Sequence, residues 1–272
     1  VKLAILYVKI LTHSFTHYKK LLSNTFLFAV GSIGSKIILF MLVPLYTNYL
    51  STETYGNADL IVTFSSLFVP IFSLGIGEAV LRFGLSKEYD KCTILQNALL
   101  VNVAGSIVAI VIYFCTSFFI SLDKNYLFLI SITLLTMFRT TFQYYVKAEN
   151  NNKVFALDSI LHTILLCISN IVFIVFMKKD IKGYLSSFVI ADFSSIVYLL
   201  IFGVRSSFFK KRNKINYDLL KKMLVYSFPL IFNSISWWAF HSIDKLMLKY
   251  YISASAVGLY SIAAKIPSLV NT

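Results

Sequence analysis

The sequence predicts an all-α polytopic membrane protein, and three observations predict it. Of 272 residues, 58% are hydrophobic and 14% charged, against about 25% charged in soluble domains, and the mean hydropathy is +0.76. Apolar runs of about 20 residues, the length that crosses a hydrocarbon core of about 30 Å, recur along the chain. Short polar segments rich in charge, Gly and turn formers separate them.

The elements follow in order. Residues 1–23, with "VKLAILYVKIL" and the basic "HSFTHYKK", are too short and too charged to span and lack a small-residue cleavage site. They read as a cytoplasmic N-terminal segment, an interfacial amphipathic helix or a tail. Spans are predicted at 24–47, 58–82, 94–120, 126–146, 154–177 and 184–204, a first six-helix bundle occupying 24–204. "NYLSTETYGN", "GLSKEYDKC", "SLDKN", "KAENNNK" and "KKDIKG" separate them. Residues 205–222, "RSSFFKKRNKINYDLLKK", form the longest polar connection and read as a basic cytoplasmic linker. Two further spans, 223–250 and 256–272, start a second bundle that is incomplete in this chain, for about eight transmembrane helices in all.

The net charge of +13 follows from orientation. With the N-terminus inside, sixteen Lys and Arg fall in inner segments and five in outer loops, the bias that marks cytoplasmic loops. Nucleic acid is therefore not needed to explain the charge, and anionic membrane lipids are a natural partner. Cys92, Cys115 and Cys167 follow no metal or redox spacing and read as reduced packing residues. Neither a metal nor an organic cofactor is expected.

The second part echoes the first. Shifted by 202 positions, "YLSTETYG" (Tyr49 to Gly56) falls on "YISASAVG" (Tyr251 to Gly258), matching Tyr, an aliphatic residue, Ser and Gly. Both copies connect the first and second helices of their halves, as expected of a transporter built from two related bundles.

"NTFLFAVGSIGSKIILFMLVPLYTNYLSTETYGNADL" (Asn24 to Leu60), "EAVLRF", "YSFPLIFNSISWW", "DKLML" and "VGLYSIAAKIPSLV" carry a family resemblance. From about Leu21 onward the chain resembles the polysaccharide-unit flippases, the O-antigen and lipid-linked oligosaccharide translocases of the multidrug and oligosaccharidyl-lipid exporter superfamily. The resemblance implies about 12 to 14 helices in two halves around a central cavity. It also implies alternating access that moves an undecaprenyl-diphosphate-linked sugar unit to the outer leaflet. A chain that starts with Val and stops after about eight helices reads as a fragment or a truncated frame: the N-terminal portion of such an exporter.

Charge inside an apolar span is costly, and such residues face a bundle interior or a wet cavity. Lys36, within "AVGSIGSKIILFMLVPLY", lies about 15 Å or more from either surface, too deep for its stem to bridge. It is a cavity candidate, or the partner of an acid such as Asp192. A phosphate loop is excluded, because Ser35 and Ile37 stand where that motif needs Gly and Ser or Thr. Arg139 is deep in "LLTMFRTTFQYY", where its guanidinium suits bidentate binding of a diphosphate. Arg82 and Lys265 complete the cationic set. Asp192 is the clearest deep acid, for ion pairing or for a coupling proton or sodium. Glu78 stands i, i+4 before Arg82, the favourable order for an ion pair.

Asp244 reads as a gate or pair residue beside Lys245. Asp158 and His162 share a helix face, with Asp158 read as interfacial or as an N-terminal helix charge. His241 reads as a hydrogen-bonded core histidine.

A cavity of positive bias suits an anionic lipid-linked oligosaccharide, with no covalent chemistry required. A multidrug exporter of the same superfamily would need an acidic, aromatic cavity. A membrane enzyme acting on lipid-linked sugars would need a large outer loop or a His/Asp constellation at an interface. An inert fragment is the remaining alternative.

Overall fold

The computed structural model describes residues 34, 36–86, 88–119, 123, 125–204 and 215–270. These form α1 (Lys36–Tyr49), α2 (Thr52–Phe72), α3 (Ile76–Leu85), α4 (Lys91–Phe119), α5 (Tyr126–Ala148), α6 (Asn152–Phe176), α7 (Ile181–Val204), α8 (Tyr217–Tyr251) and α9 (Ala254–Val270), with no strand among the described residues. Among the described residues six helices, α2 and α4 to α8, are long and apolar enough to cross a membrane. The chain is an all-α polytopic membrane protein.

Side-chain caps set the starts of α2, α6, α8 and α9, and two of them extend their helices into sequence that reads as polar connection. The Ser51 hydroxyl accepts the Thr54 N–H at 3.1 Å, so α2 begins at Thr52 rather than at 58. The Asn216 side chain accepts the Leu219 N–H at 3.0 Å, so α8 begins at Tyr217 and absorbs the end of the expected linker. A capped first turn keeps its backbone donors satisfied while presenting polar side chains.

The expected span 58–82 is two helices. Ser73, Leu74 and Gly75 separate α2 from α3, with φ of +50° at Leu74 and +63° at Gly75. The Gly75 N–H bonds to the Pro70 carbonyl at 3.1 Å. Left-handed backbone ends the first helix, and the apolar Leu74 hides the break from a reading of hydrophobic runs. Residues 24–33 of the first expected span lie outside the described residues.

Two buried clusters tie the bundle together. One joins Ile76, Ile94, Leu95, Phe142, Leu199 and, from α8, Leu219 and Met223. The other gathers Leu42, Tyr46, Tyr55, Ile132 and Tyr184 at the opposite end. There Tyr46 stacks on Tyr55 at 5.2 Å and Tyr184 meets both edge-on. Polar side chains also bridge helices: Asn102 donates to Thr141 at 2.8 Å and Thr133 to Ser65 at 3.1 Å, satisfying groups that lipid cannot. Val103, Ile107, Val111, Phe114 and Phe118 form an exposed stripe along α4, an outer surface suited to lipid. Cys115 is exposed, so packing is the role of Cys92 and Cys167 only.

α2 and α9 cross at glycine. A Cβ on Gly56 would sit 2.0 Å from the Ala254 carbonyl oxygen, and one on Gly258 would sit 2.1 Å from the Thr52 oxygen. The two repeat copies thus pack reciprocally, as in an isologous two-fold contact. Their caps match as well: Ser253 accepts the Ala256 N–H at 3.2 Å, as Ser51 accepts that of Thr54.

Candidate functional site

Two polar clusters lie within the apolar bundle. The first is enclosed by α5, α6 and α7. Apolar positions on three neighbouring helices give way there to Thr136, Arg139 and Gln143 on α5, Asp158 and His162 on α6, and Asp192 and Ser195 on α7. Their spacings of three and four residues put each set on one helix face. Arg139 donates from Nε to Ser195 Oγ at 2.8 Å and from Nη1 to Asp192 Oδ1 at 3.3 Å. Its Nη2 lies 3.8 Å from Asp158 Oδ2.

The carboxylates are further satisfied. Gln143 donates to Asp158 at 2.7 Å, Ser195 donates to the other Asp158 oxygen, and Thr136 donates to Asp192 at 2.6 Å. His162 Nε2 lies 3.0 Å from Asp192 Oδ1. Since an ionised carboxylate only accepts, that nitrogen carries the hydrogen. Asp158 is fully buried and Asp192 nearly so. Arg139 thus sits between the two carboxylates, with His162 at the edge of the cluster.

The second cluster lies on the seam where α8 and α9 meet α2. Lys245 Nζ and Ser261 Oγ each donate to Asp59 Oδ2 at 2.8 Å. Lys245 also reaches Thr63 Oγ1 at 3.4 Å, and Trp238 Nε1 donates to the Thr63 carbonyl at 2.8 Å. Lys265 Nζ stands 4.5 Å from the centre of the Tyr46 ring and 5.4 Å from that of Tyr55, a cation–π arrangement. Tyr260 donates its hydroxyl hydrogen to Asp244.

The structure distributes the residues singled out in sequence. Arg139 and Asp192 are brought together in the first cluster, and Lys265 and Asp244 come to the seam. Arg82 is exposed in the last turn of α3. Glu78 accepts the Tyr144 hydroxyl hydrogen at 2.5 Å, and no ion pair joins it to Arg82 among the described residues. Lys36 is half-buried on α1. Asp192 bonds to Arg139, His162 and Thr136.

Two expectations change. Asp158 is a core carboxylate rather than an interfacial one, because Arg139, Gln143 and Ser195 surround it. His241 is exposed and stacked on Trp237 at 5.7 Å rather than buried. Asp59 is not singled out in sequence, although the 202-residue offset that aligns the repeat places it on Ser261.

The fold and site thus define a multi-helix membrane bundle with an ionisable cluster in its interior and two related segments meeting at a seam. The chain belongs to the polysaccharide biosynthesis protein family, whose model matches residues 21–272. A Haemophilus influenzae protein named Lsg locus protein 1 is 22% identical over 264 residues, covering 93% of this chain and 62% of that one. A solved structure designated protein A has the same fold at a TM-score of 0.67 and 16% identity, covering 93% of this chain and 61% of its own. The chain thus spans about three fifths of the length of both.

Proposed function

We propose that the chain is part of a flippase that translocates undecaprenyl-diphosphate-linked oligosaccharide units across the cytoplasmic membrane for surface polysaccharide synthesis. Its N-terminus is cytoplasmic in this reading, as the distribution of Lys and Arg supports. The first bundle occupies 24–204 and the second begins after the basic connection. The observation that carries the reading is the reciprocal packing of the two repeat copies at Gly56 and Gly258. Two related bundles meeting about a two-fold are suited to rocking against one another, and the family match extends over both.

Proton is the coupling ion that best suits the interior cluster. Arg139 occupies the space between Asp158 and Asp192 that a sodium ion would need, whereas His162 stands at its edge with a titratable nitrogen. A cationic drug is a poorer cargo. Asp59, Asp158 and Asp192 are each already engaged by Lys245 or Arg139.

The direct test is deletion of the gene in its host. Loss of surface polysaccharide with accumulation of the lipid-linked unit on the inner leaflet, both restored by the gene in trans, is expected. Unchanged surface polysaccharide in the deletion strain overturns the proposal.

A further inference from the structure

A cleft of about 640 Å³ opens at the end of the bundle where α1 meets α2 and α8 meets α9. In the orientation proposed above this is the outer end. It lies beside the seam but apart from both clusters already described. Its volume falls within the roughly 300–1,000 Å³ of small-molecule sites. Asn57, Leu60, Ile61 and Phe64 give it one stripe of α2, and Leu246, Lys249 and Tyr250 give it one stripe of α8.

The rim is polar, and its charged members among the described residues are Asp123 and Lys249. Lys249 Nζ donates to Asn57 Oδ1 at 2.9 Å, which leaves two of its three hydrogens for another acceptor. Asp123 accepts from the Asn125 backbone N–H at 3.2 Å and from its side-chain amide at 2.9 Å. This holds the Asn125 side chain in place while its Oδ1, buried, has no hydrogen-bond partner among the described residues. A buried carbonyl oxygen without a donor is costly and rare. Beside it stand two exposed rings, Tyr126 and Tyr250.

We infer that this cleft is a saccharide-binding subsite that receives an uncharged sugar ring of the transported glycan at the outer face. A pyranose presents C–H groups on its faces and hydroxyls around its edge. The former suit the negative faces of Tyr126 and Tyr250. The latter supply a donor for Asn125 Oδ1 and an acceptor for Lys249. Among the described lining residues one carboxylate, Asp123, accompanies one ammonium, Lys249, and the remaining lining is uncharged, which suits a sugar ring better than its diphosphate linkage. The source of the sugar rests on the flippase reading; the chemistry of the cleft does not.

The test uses the full chain in nanodiscs of phosphatidylethanolamine and phosphatidylglycerol, so that no sugar-bearing detergent competes. The probes are free glucose, galactose, N-acetylglucosamine and glucuronate, read by saturation-transfer NMR. Saturation of at least one neutral sugar is expected, falling about fivefold in Tyr126→Ala and in Asn125→Ala. Tyr126→Phe, which keeps the ring, and Tyr217→Ala, exposed at the opposite end of α8, should retain the wild-type signal.

Absence of transfer to any neutral sugar, or a signal unchanged in both alanine variants, overturns the subsite. Binding of glucuronate alone overturns the charge argument and the subsite with it. Deletion of the gene in its host, followed in parallel for surface polysaccharide, separates the two readings. A protein that binds the sugar while the deletion leaves surface polysaccharide unchanged refutes the flippase and upholds the subsite, and the converse result refutes the subsite alone.

Discussion

Gly56 and Gly258 stand in backbone contact, each beneath the carbonyl of the residue four positions before the other. They are separated by the same 202 positions that separate Asp59 from Ser261, one turn further along the same two helices. A methyl group at either glycine would lie about 2 Å from a carbonyl oxygen of the facing backbone, and main chain cannot yield as a flexible side chain can. Gly56→Ala and Gly258→Ala should each destabilise the protein by about 1–3 kcal/mol. Because either methyl already parts the crossing, the double substitution should cost less than the two single costs added. Thermal unfolding of the four proteins in nanodiscs measures this, and strict additivity would show that the two contacts are independent.

Asp59 and Lys245 join α2 to α8 across the seam, with side chains 13% and 18% exposed. Removing one partner leaves a largely desolvated charge, which costs about 3–5 kcal/mol in buried pairs. Asp59→Asn and Lys245→Met should therefore each be more harmful than the pair combined. Thermal unfolding in nanodiscs measures this, and two single variants as stable as wild type would remove the ion pair from the seam.

Arg139 serves two carboxylates at once, so its replacement should be the most damaging single change in the interior cluster. Arg139→Met leaves Asp158 and Asp192 facing one another without their cation, and a loss of about 3–5 kcal/mol is expected. Adding Asp158→Asn should recover part of that loss by removing one of the two charges. If His162 is the group that exchanges the coupling proton, His162→Gln should keep the fold and abolish dependence of transport on the proton gradient. Transport that stays coupled in His162→Gln would assign the proton elsewhere.

The fold class is legible because lipid leaves a spanning chain few alternatives to the helix. Run length alone then places most spans to within a few residues. The start of α2 is hidden because its first turn carries Thr52, Glu53 and Thr54, which read as loop until Ser51 is recognised as a cap. Arg139 and Asp192 are conspicuous in sequence as charges in apolar runs, but their pairing depends on how α5 packs against α7. Asp158 misleads by lying near Lys153, since proximity along a helix says nothing of what the facing helix supplies. Asp59 is masked by the polar "TYGNADL" around it, and only the repeat offset marks its position.

The break between α2 and α3 gives the last prediction. Leu74 and Gly75 both adopt left-handed backbone, at φ of +50° and +63°. For an ordinary side chain that conformation costs about 1–2 kcal/mol, whereas glycine bears it freely. At Gly75 a new Cβ would in addition come within 3.2 Å of the Ser227 carbonyl oxygen on α8, so strain and crowding act together. Gly75→Val should lower the unfolding temperature clearly. Leu74→Gly removes a strained residue but gives the unfolded chain more freedom, so the two effects should nearly offset, within about 0.5 kcal/mol. A Gly75→Val protein as stable as wild type would mean that the segment is one continuous helix, as its hydropathy alone suggests.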